Sequence, residues 1–324
     1  MDFKPASIRT LSMLGQRGAF GQALTELGGD NENIVALSAD LCNTSGLDRF
    51  KKAYPARFIN VGIAEQNMVG IAAGLAAQGK IPFATTFANF AALRACEQIR
   101  HFMGYMRENV KLIGFGAGFS FGMFGTTHYA LEDIAALRAI NHLIILSPAD
   151  GVSVVKAVEV AAEIKASVYL RLSGTVNNPV VYKEDFDFEI GKAITLREGT
   201  DIAVIATGTM VYNSLKAAEK LAENGVSVKV IDMHTIKPLD VEVVKAACSA
   251  KLIVTVEEHS VYGGLGGAVA EALALERNKP PHLIIGTQSE YLHAGDFAYM
   301  HEVHGLTPAQ IALKIQKTYE ELCK

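Results

Sequence analysis

The segment that decides the fold of this protein runs from residue 58 to residue 93. It reads Phe-Ile-Asn-Val-Gly-Ile-Ala-Glu-Gln-Asn-Met-Val-Gly at residues 58–70 and Thr-Thr-Phe-Ala-Asn-Phe-Ala-Ala-Leu at residues 85–93. Glu65 is the only charged residue between Arg57 and Lys80. A carboxylate at the start of an apolar helix is costly to bury. Glu65 is therefore expected to be paired, to cap the helix dipole or to serve a function.

Two aromatic residues follow a predicted apolar strand at residues 81–85. Phe87 and Phe90 stand three residues apart on the predicted turn into the next helix. Such a pair can clamp a flat heterocycle, and an acid close by can donate a proton to a ring nitrogen. The same spacing is also typical of core packing, so the pair alone leaves both interpretations open.

Apolar runs rich in β-branched residues alternate with helical patterns along the whole chain. This alternation predicts an α/β fold of two consecutive doubly wound domains with mostly parallel sheets. The turn-rich, then acidic, segment at residues 173–188 predicts a boundary between domains 1–185 and 186–324. The predicted strands lie at residues 34–38, 57–61, 81–85, 110–115, 143–147, 168–172, 202–206, 227–231, 252–257 and 283–285.

Composition excludes several classes of function. A net charge of −4 over 324 residues gives no electrostatic case for binding nucleic acid or an anionic membrane. No apolar run is long enough to span a bilayer, and the N-terminus lacks a signal-peptide core. The four cysteines are scattered, which predicts reduced thiols, a cytoplasmic location and no metal site in this chain.

Four ordered motifs carry a resemblance to a known family. They are Gly-Ile-Ala-Glu-Gln-Asn-Met at 62–68, Thr-Phe-Ala-Asn-Phe at 86–90, Thr-His at 127–128 and Glu-Asp-Ile-Ala at 132–135. The chain resembles transketolases, which use thiamine diphosphate, from about residue 17 onward. The resemblance implies a pyrimidine-binding domain followed by a transketolase C-terminal domain.

The resemblance also implies roles for residues of the decisive segment. Glu65 would be the catalytic acid that hydrogen-bonds the aminopyrimidine ring, with Phe87 and Phe90 stacking against it. Leu93 takes the cofactor-contacting position of a family tyrosine. His128, which sits in the loop after a glycine-rich run, would be the second catalytic residue and would contact substrate oxygens.

A further set of residues is predicted to bind sugar substrate. Asp40 and Thr44 lie in a polar loop after the predicted strand 34–38, where ligands bind in parallel sheets. In transketolases the matching loop reaches the substrate phosphate, assisted by arginines that match Arg17 and Arg171. Arg171 lies at the end of an apolar strand, which favours a site role over a surface role.

The sequence lacks the Gly-Asp-Gly motif that holds the diphosphate and its metal in transketolases. The chain therefore resembles the C-terminal subunit of a split transketolase. An N-terminal partner subunit is expected to supply the diphosphate site and the Mg²⁺ ligands. Self-association as a dimer would then give a heterotetramer.

Three positions depart from the transketolase pattern at the substrate. Gly116 replaces a phosphate-contacting histidine, and Met123 and Phe124 replace an acidic pair whose aspartate reads a sugar hydroxyl. These changes predict transfer of a two-carbon ketol unit that involves a modified sugar, either deoxy, sulfonated or non-phosphorylated, or a more apolar aldehyde.

Two alternatives remain open at this stage. One is an acyl-transferring thiamine enzyme, like deoxyxylulose-phosphate synthase or the β subunit of a 2-oxoacid dehydrogenase. The other is a non-catalytic scaffold partner, although the joint presence of Glu65, Phe87, Phe90 and His128 argues against it.

Overall fold

Two sheets organise the protein. The computed structural model describes residues 3–288, 290–291 and 293–323. The strands are β1 Ile34–Ser38, β2 Phe58–Asn60, β3 Ile81–Phe87, β4 Lys111–Ala117, β5 Leu143–Leu146, β6 Ser167–Ser173, β7 Ile194–Arg197, β8 Ile202–Ala206, β9 Val228–Asp232, β10 Thr235–Lys237, β11 Leu252–Ser260 and β12 His282–Thr287.

Helices cover the sheets. They are α1 Pro5–Asp30, α2 Cys42–Ser45, α3 Asp48–Ala53, α4 Glu65–Ala77, α5 Cys96–Gln98, α6 Asp133–Arg138, α7 Gly151–Glu163, α8 Met210–Glu223, α9 Val241–Ala246, α10 Leu265–Ala272, α11 Phe297–Val303 and α12 Pro308–Leu322. No helix among the described residues is long and apolar enough to cross a membrane.

The first sheet has seven strands in the order β10-β5-β6-β4-β3-β1-β2. All neighbours are parallel except β10 and β5. Its central strands are buried along their whole length, because helices cover both faces. The second sheet has the order β12-β11-β8-β9-β7, with only β7 antiparallel. The predicted α/β architecture with two mostly parallel sheets is confirmed.

Strand β10 belongs to the second half of the sequence but extends the first sheet. Thr235 pairs with Leu146 and Lys237 with Ile145. Sequence patterns miss β10 and the edge strand β7, since the two strands have only three and four residues. Because β10 pairs with β5, backbone hydrogen bonds join the two domains in addition to the chain itself. The boundary near residue 185 remains a prediction.

Helix α1 is longer than predicted and breaks at Gly15. The sequence predicts a helix over residues 18–27, whereas the helix begins at Pro5 and ends at Asp30. Gly15 has φ 69°, and a Cβ there would lie 2.5 Å from the carbonyl oxygen of Thr175. The break turns the chain so that Arg17 lies beside the carboxyl ends of the first sheet's strands.

The segment after β3 differs from the predicted turn and single helix. Phe87 is the last residue of β3, and the following residues form π-helical turns at Phe90–Arg94 and Ile99–Tyr105 around the short helix α5. π-helical turns are frequent at functional sites, because they re-aim side chains. Here they bring Arg94 back towards the start of α4, which no local pattern indicates.

Candidate active site

The predicted site residues gather at the carboxyl ends of neighbouring parallel strands. Asp40 follows β1, Phe87 ends β3 and Gly116 lies near the end of β4. This edge of a parallel sheet is where ligands bind in α/β proteins. The strand order therefore brings together residues that are far apart in sequence.

Glu65 is the first residue of α4 and is only 2% exposed. Its Oε1 accepts hydrogen bonds from Arg94 Nη1 at 2.7 Å and from Thr86 Oγ1 at 3.4 Å. Its Oε2 is buried without a hydrogen-bond partner among the described residues. A buried carboxylate oxygen without a donor is costly, so this atom is placed to accept from a ligand.

Two phenylalanines and a histidine form a cluster close to Thr86 and Arg94, the hydrogen-bond partners of Glu65. The ring centroids of Phe87 and Phe90 are 5.6 Å apart in an edge arrangement. The His128 ring lies 5.4 Å from Phe87 and 5.5 Å from Phe90. The structure thus places His128 with the aromatic pair, and its contact with substrate oxygens stays a prediction. Leu93 is about half exposed at the rim.

The loop that carries His128 is tied to the aromatic turn. Asn89 Nδ2 donates to the carbonyl oxygen of Thr127 at 2.7 Å, and Thr127 Oγ1 lies 2.9 Å from His128 Nδ1. Gly118 and Ala130 close the loop through an antiparallel bridge. The His128 ring is therefore held by the same turn that holds the two phenylalanines.

Phe121 fills the space beside Gly116. A Cβ on Gly116 would lie 2.6 Å from Phe121 Cδ2, and Gly116 has φ 72°. Phe121 contacts Phe87 edge-on at 4.9 Å and stacks on Phe124 at 5.7 Å. An aromatic wall of Phe121 and Phe124 therefore occupies the region of the polar family residues that Gly116 and Phe124 replace. The signal for Phe121 in the sequence is the unusually aromatic loop after β4.

Arg17 lines a small cavity next to this wall. The cavity has a volume of about 180 Å³, and its other polar lining includes Gln16, Ser120, Ser173 and Thr175. Burial lowers the pKa of the Arg17 guanidinium, which has no ion pair among the described residues. An incompletely solvated cation without a counterion favours an anionic ligand.

Asp40 and Thr44 lie in the segment after β1, which packs against α1. A Cβ on Gly46, just after α2, would lie 2.6 Å from the carbonyl oxygen of Arg17. Asp40 has the unusual φ of 59°, and its N–H donates to Asn60 Oδ1 while Asn60 Nδ2 donates to Asp40 Oδ1, both at 3.0 Å. Strained backbone of this kind is concentrated at functional sites. Thr44 is half-buried in α2, and the sequence does not reveal the Asn60 clamp.

Arg171 does not reach the cavity, contrary to the prediction. It is 2% exposed, and its Nε donates to Asp133 Oδ2 at 2.8 Å. Its Nη2 donates to the carbonyl oxygens of Ala130 and Glu258, at 3.0 and 2.9 Å. These partners hold Nε and Nη2, and Arg171 is not among the residues that line the cavity. The apolar strand that suggested a site role instead reflects this burial.

Glu258 is a buried link between the domains that the sequence does not single out. It accepts hydrogen bonds from the Phe119 N–H and from Thr209 Oγ1, both at 2.6 Å. Burial raises the pKa of Glu258, but the interactions with His301, Thr209 and the Phe119 N–H outweigh burial and lower this pKa overall.

Within the described part of the chain, no group of three or more metal-ligating side chains could hold an ion.

Comparisons with known proteins agree with this geometry. Residues 12–176 match the family described as transketolase, pyrimidine binding domain, and residues 191–311 match transketolase, C-terminal domain. Fold and site therefore define a pair of transketolase domains. The chain belongs to the transketolase family and corresponds to the C-terminal part that split transketolases carry as a separate subunit.

Similar proteins include several separate C-terminal sections. A putative transketolase C-terminal section of Methanocaldococcus jannaschii is 41% identical, covering 94% of this chain and 96% of the relative. An apulose-4-phosphate transketolase subunit of Phocaeicola vulgatus is 39% identical, covering 91% of this chain and 94% of the relative. A 6-deoxy-6-sulfo-D-fructose transketolase subunit of Clostridium sp. (strain MSTE9) is also 39% identical, covering 91% of each chain.

Solved structures give the same assignment. A structure described as a split gene transketolase, inactive beta4 tetramer, has a TM-score of 0.87 and 40% identity, and covers 94% of this chain and 98% of that chain. Transketolase from Leishmania mexicana has a TM-score of 0.77 at 21% identity, covering 96% of this chain but 46% of that chain. The second comparison supports the fold only.

Proposed function

We propose that this chain is the C-terminal subunit of a thiamine diphosphate-dependent transketolase that transfers a two-carbon ketol unit from a ketose to an aldehyde. The observation that carries the proposal is Oε2 of Glu65, a buried acceptor without a donor among the described residues. Arg94, which bonds the other oxygen of this carboxylate, stacks on the ring of Phe90. Bound thiamine diphosphate supplies the carbanion chemistry of such transfers. The protein residues would bind, orient and protect the reacting groups.

Glu65 would pass a proton to the ring nitrogen of the aminopyrimidine and then accept a hydrogen bond from the resulting N–H. Its position at the first turn of α4, with one unpartnered acceptor oxygen, fits a group that donates one in-plane N–H. Phe87 and Phe90 would hold the flat ring, with Leu93 at its edge. His128 would hydrogen-bond substrate oxygens close to the reacting carbon, because the loop holds it against both phenylalanines.

An N-terminal subunit would complete the enzyme. We infer that this partner supplies the diphosphate site and its Mg²⁺ ligands, and that two copies of each chain assemble as a heterotetramer in the cytoplasm. The two relatives named as transketolase subunits support an enzyme of more than one chain.

The substrate is proposed to be a modified sugar. Arg17 would hold an anionic end in the small cavity. Asp40 and Thr44, in the segment after β1, would contact polar groups of the substrate outside that cavity. The Phe121 and Phe124 wall would face a carbon that carries no hydroxyl, since the wall offers no hydrogen-bond acceptor. Two relatives are named for apulose 4-phosphate and for 6-deoxy-6-sulfofructose, which are modified sugars.

Glu65→Gln tests the proposal. The variant chain is combined with an N-terminal partner, identified by a neighbouring gene with a Gly-Asp-Gly motif. Exchange of the thiazolium proton for deuterium is then measured. We expect assembly to persist and the exchange to slow by orders of magnitude. The matched control is Glu97→Gln, which alters an exposed carboxylate in the short helix α5. Unchanged exchange in Glu65→Gln would remove Glu65 from the mechanism.

A further inference from the structure

The guanidinium of Arg94 makes contacts of the same two kinds that the proposed function assigns to the cofactor ring, but it bonds the other oxygen of the Glu65 carboxylate. Its Nη1 donates to Glu65 Oε1 at 2.7 Å. Its Cζ lies 4.0 Å from the centroid of the Phe90 ring, which is a stacking distance. One planar group thus contacts both the catalytic carboxylate and an aromatic face.

A guanidinium and a protonated aminopyrimidine share the features that these contacts require. Both are flat, carry a delocalised positive charge and donate N–H groups in their own plane. Both also favour an aromatic face. Because two flat groups cannot occupy the same face of Phe90, Arg94 and a pyrimidine stacked there exclude each other.

We propose that Arg94 is a stand-in for the aminopyrimidine. In the cofactor-free chain its guanidinium fills the place between Glu65 and Phe90 and satisfies one oxygen of the buried carboxylate. The cofactor displaces it into solvent when the ring binds. This inference rests on the proposed function, because it takes the pyrimidine site from there.

The surroundings of Arg94 allow this movement. Its side chain is 43% exposed although its partner Glu65 is buried. Its backbone is anchored, since Gln66 Nε2 donates to its carbonyl oxygen at 3.1 Å. The side chain can therefore swing out while the turn stays in place. Thr86 Oγ1, which lies 3.4 Å from Glu65 Oε1, would remain as a donor to this oxygen after the exchange.

The test measures binding of 4-amino-5-hydroxymethyl-2-methylpyrimidine to the full chain by saturation-transfer NMR. If Arg94 leaves the place open for about one tenth of the time, Arg94→Ala should bind this pyrimidine about tenfold more tightly than the natural chain. The matched control is Arg100→Ala, which removes an exposed arginine from the following π-helical turn. The control should bind like the natural chain.

Added methylguanidinium provides a second readout. It should refill the vacated place in Arg94→Ala and compete with the pyrimidine, whereas tetramethylammonium at the same concentration should not. Equal or weaker pyrimidine binding by Arg94→Ala, or no detectable binding by any variant, would overturn the inference.

Glu65→Gln separates this inference from the proposed function. If Glu65→Gln weakens pyrimidine binding while Arg94→Ala brings no gain, the pyrimidine site stands and the stand-in role of Arg94 fails. If Glu65→Gln leaves pyrimidine binding unchanged, the proposed site itself fails.

Discussion

The carboxylate of Asp133 and the guanidinium of Arg171 form a buried pair, with 2.8 Å between Oδ2 and Nε. Tyr169 also donates to Asp133 Oδ2 at 2.8 Å, and Arg171 reaches backbone oxygens of the His128 loop and of β11. The pair thus joins the first sheet, the loop and the second domain. These contacts anchor the loop that carries His128 to both sheets.

Arg171→Met should be strongly destabilising. The substitution leaves Asp133 buried without its counterion, and breaking one partner of a buried pair costs about 3–5 kcal/mol. Urea unfolding measures the loss. The control is Glu271→Gln, which breaks an ion pair with Arg138 whose carboxylate side chain is 67% exposed. Exposed pairs contribute about 0–1 kcal/mol. A comparable loss of unfolding free energy in both variants would contradict a stabilising role specific to Arg171.

Gly118→Ala should displace the loop that carries Phe121, Phe124 and His128. Gly118 has φ 62°, and a Cβ there would lie 2.4 Å from Glu258 Oε1. Glu258 is held by Phe119 and Thr209, so the loop rather than the carboxylate should move. We expect KM for sugar to rise with little change in cofactor affinity. Gly225→Ala is the control, because Gly225 also has positive φ but no atoms near a Cβ.

Titration of Asp232 and titration of His234 should change the free energy of unfolding with pH in opposite directions. Burial raises the pKa of Asp232 to about 7, and burial lowers the pKa of His234 to about 4. Between pH 4 and 7 the folded Asp232 binds more protons than the unfolded one, so its contribution to stability falls as pH rises. Between pH 4 and 6.5 the folded His234 binds fewer protons, so its contribution rises with pH.

Asp232→Asn removes the titration of Asp232 and leaves that of His234. The amide can still accept from Tyr182 Oη, which lies 2.6 Å from Asp232 Oδ2. The free energy of unfolding of the variant should rise more steeply from pH 4 to 6.5, by up to about 1.4 kcal/mol per pH unit. His234→Gln should change the slope in the opposite direction. Parallel pH profiles for the two variants would refute this assignment.

Phe124→Asp should move substrate preference towards hydroxylated sugars. The carboxylate restores an acceptor where Phe124 now presents an exposed ring that stacks on Phe121. A hydrogen bond to a charged group is worth about 1.5–3 kcal/mol, or about ten- to a hundred-fold in kcat/KM. The assay compares ordinary pentose phosphates with deoxy, sulfonated and non-phosphorylated analogues. Met123→Asp, one residue away, is the control and should not shift the ratio.

The natural enzyme should prefer the modified substrates in the same assay. Gly116 has no room for a histidine while Phe121 is in place, so the phosphate contact cannot be recovered at that position alone. A preference of more than tenfold for ordinary pentose phosphates would contradict the proposed substrate class.

The chain without its partner should bind thiamine diphosphate weakly. Its sequence carries no Gly-Asp-Gly motif for the diphosphate and Mg²⁺. Calorimetric titration with magnesium, with and without the N-terminal subunit, measures the difference. Micromolar affinity for the chain alone would contradict the proposed division of the cofactor site.

The sequence by itself determined the α/β alternation, the isolated Glu65 and the aromatic pair Phe87 and Phe90. These features depend on local properties, namely the period of apolar residues, the length of buried strands and the absence of other charges near a carboxylate. They need no knowledge of which distant segments meet.

The tertiary structure alone decided what each of these residues contacts. Arg94 reaches Glu65 across 29 residues of sequence, and Arg171 reaches Asp133 across 38. β10 joins the first sheet from the second half of the chain, and Phe121 closes over Gly116. The parallel strand order and the π-helical turns bring these groups together. Whether an arginine binds a ligand or neutralises a buried acid depends on that packing, because its sequence neighbours do not reveal which distant group it contacts.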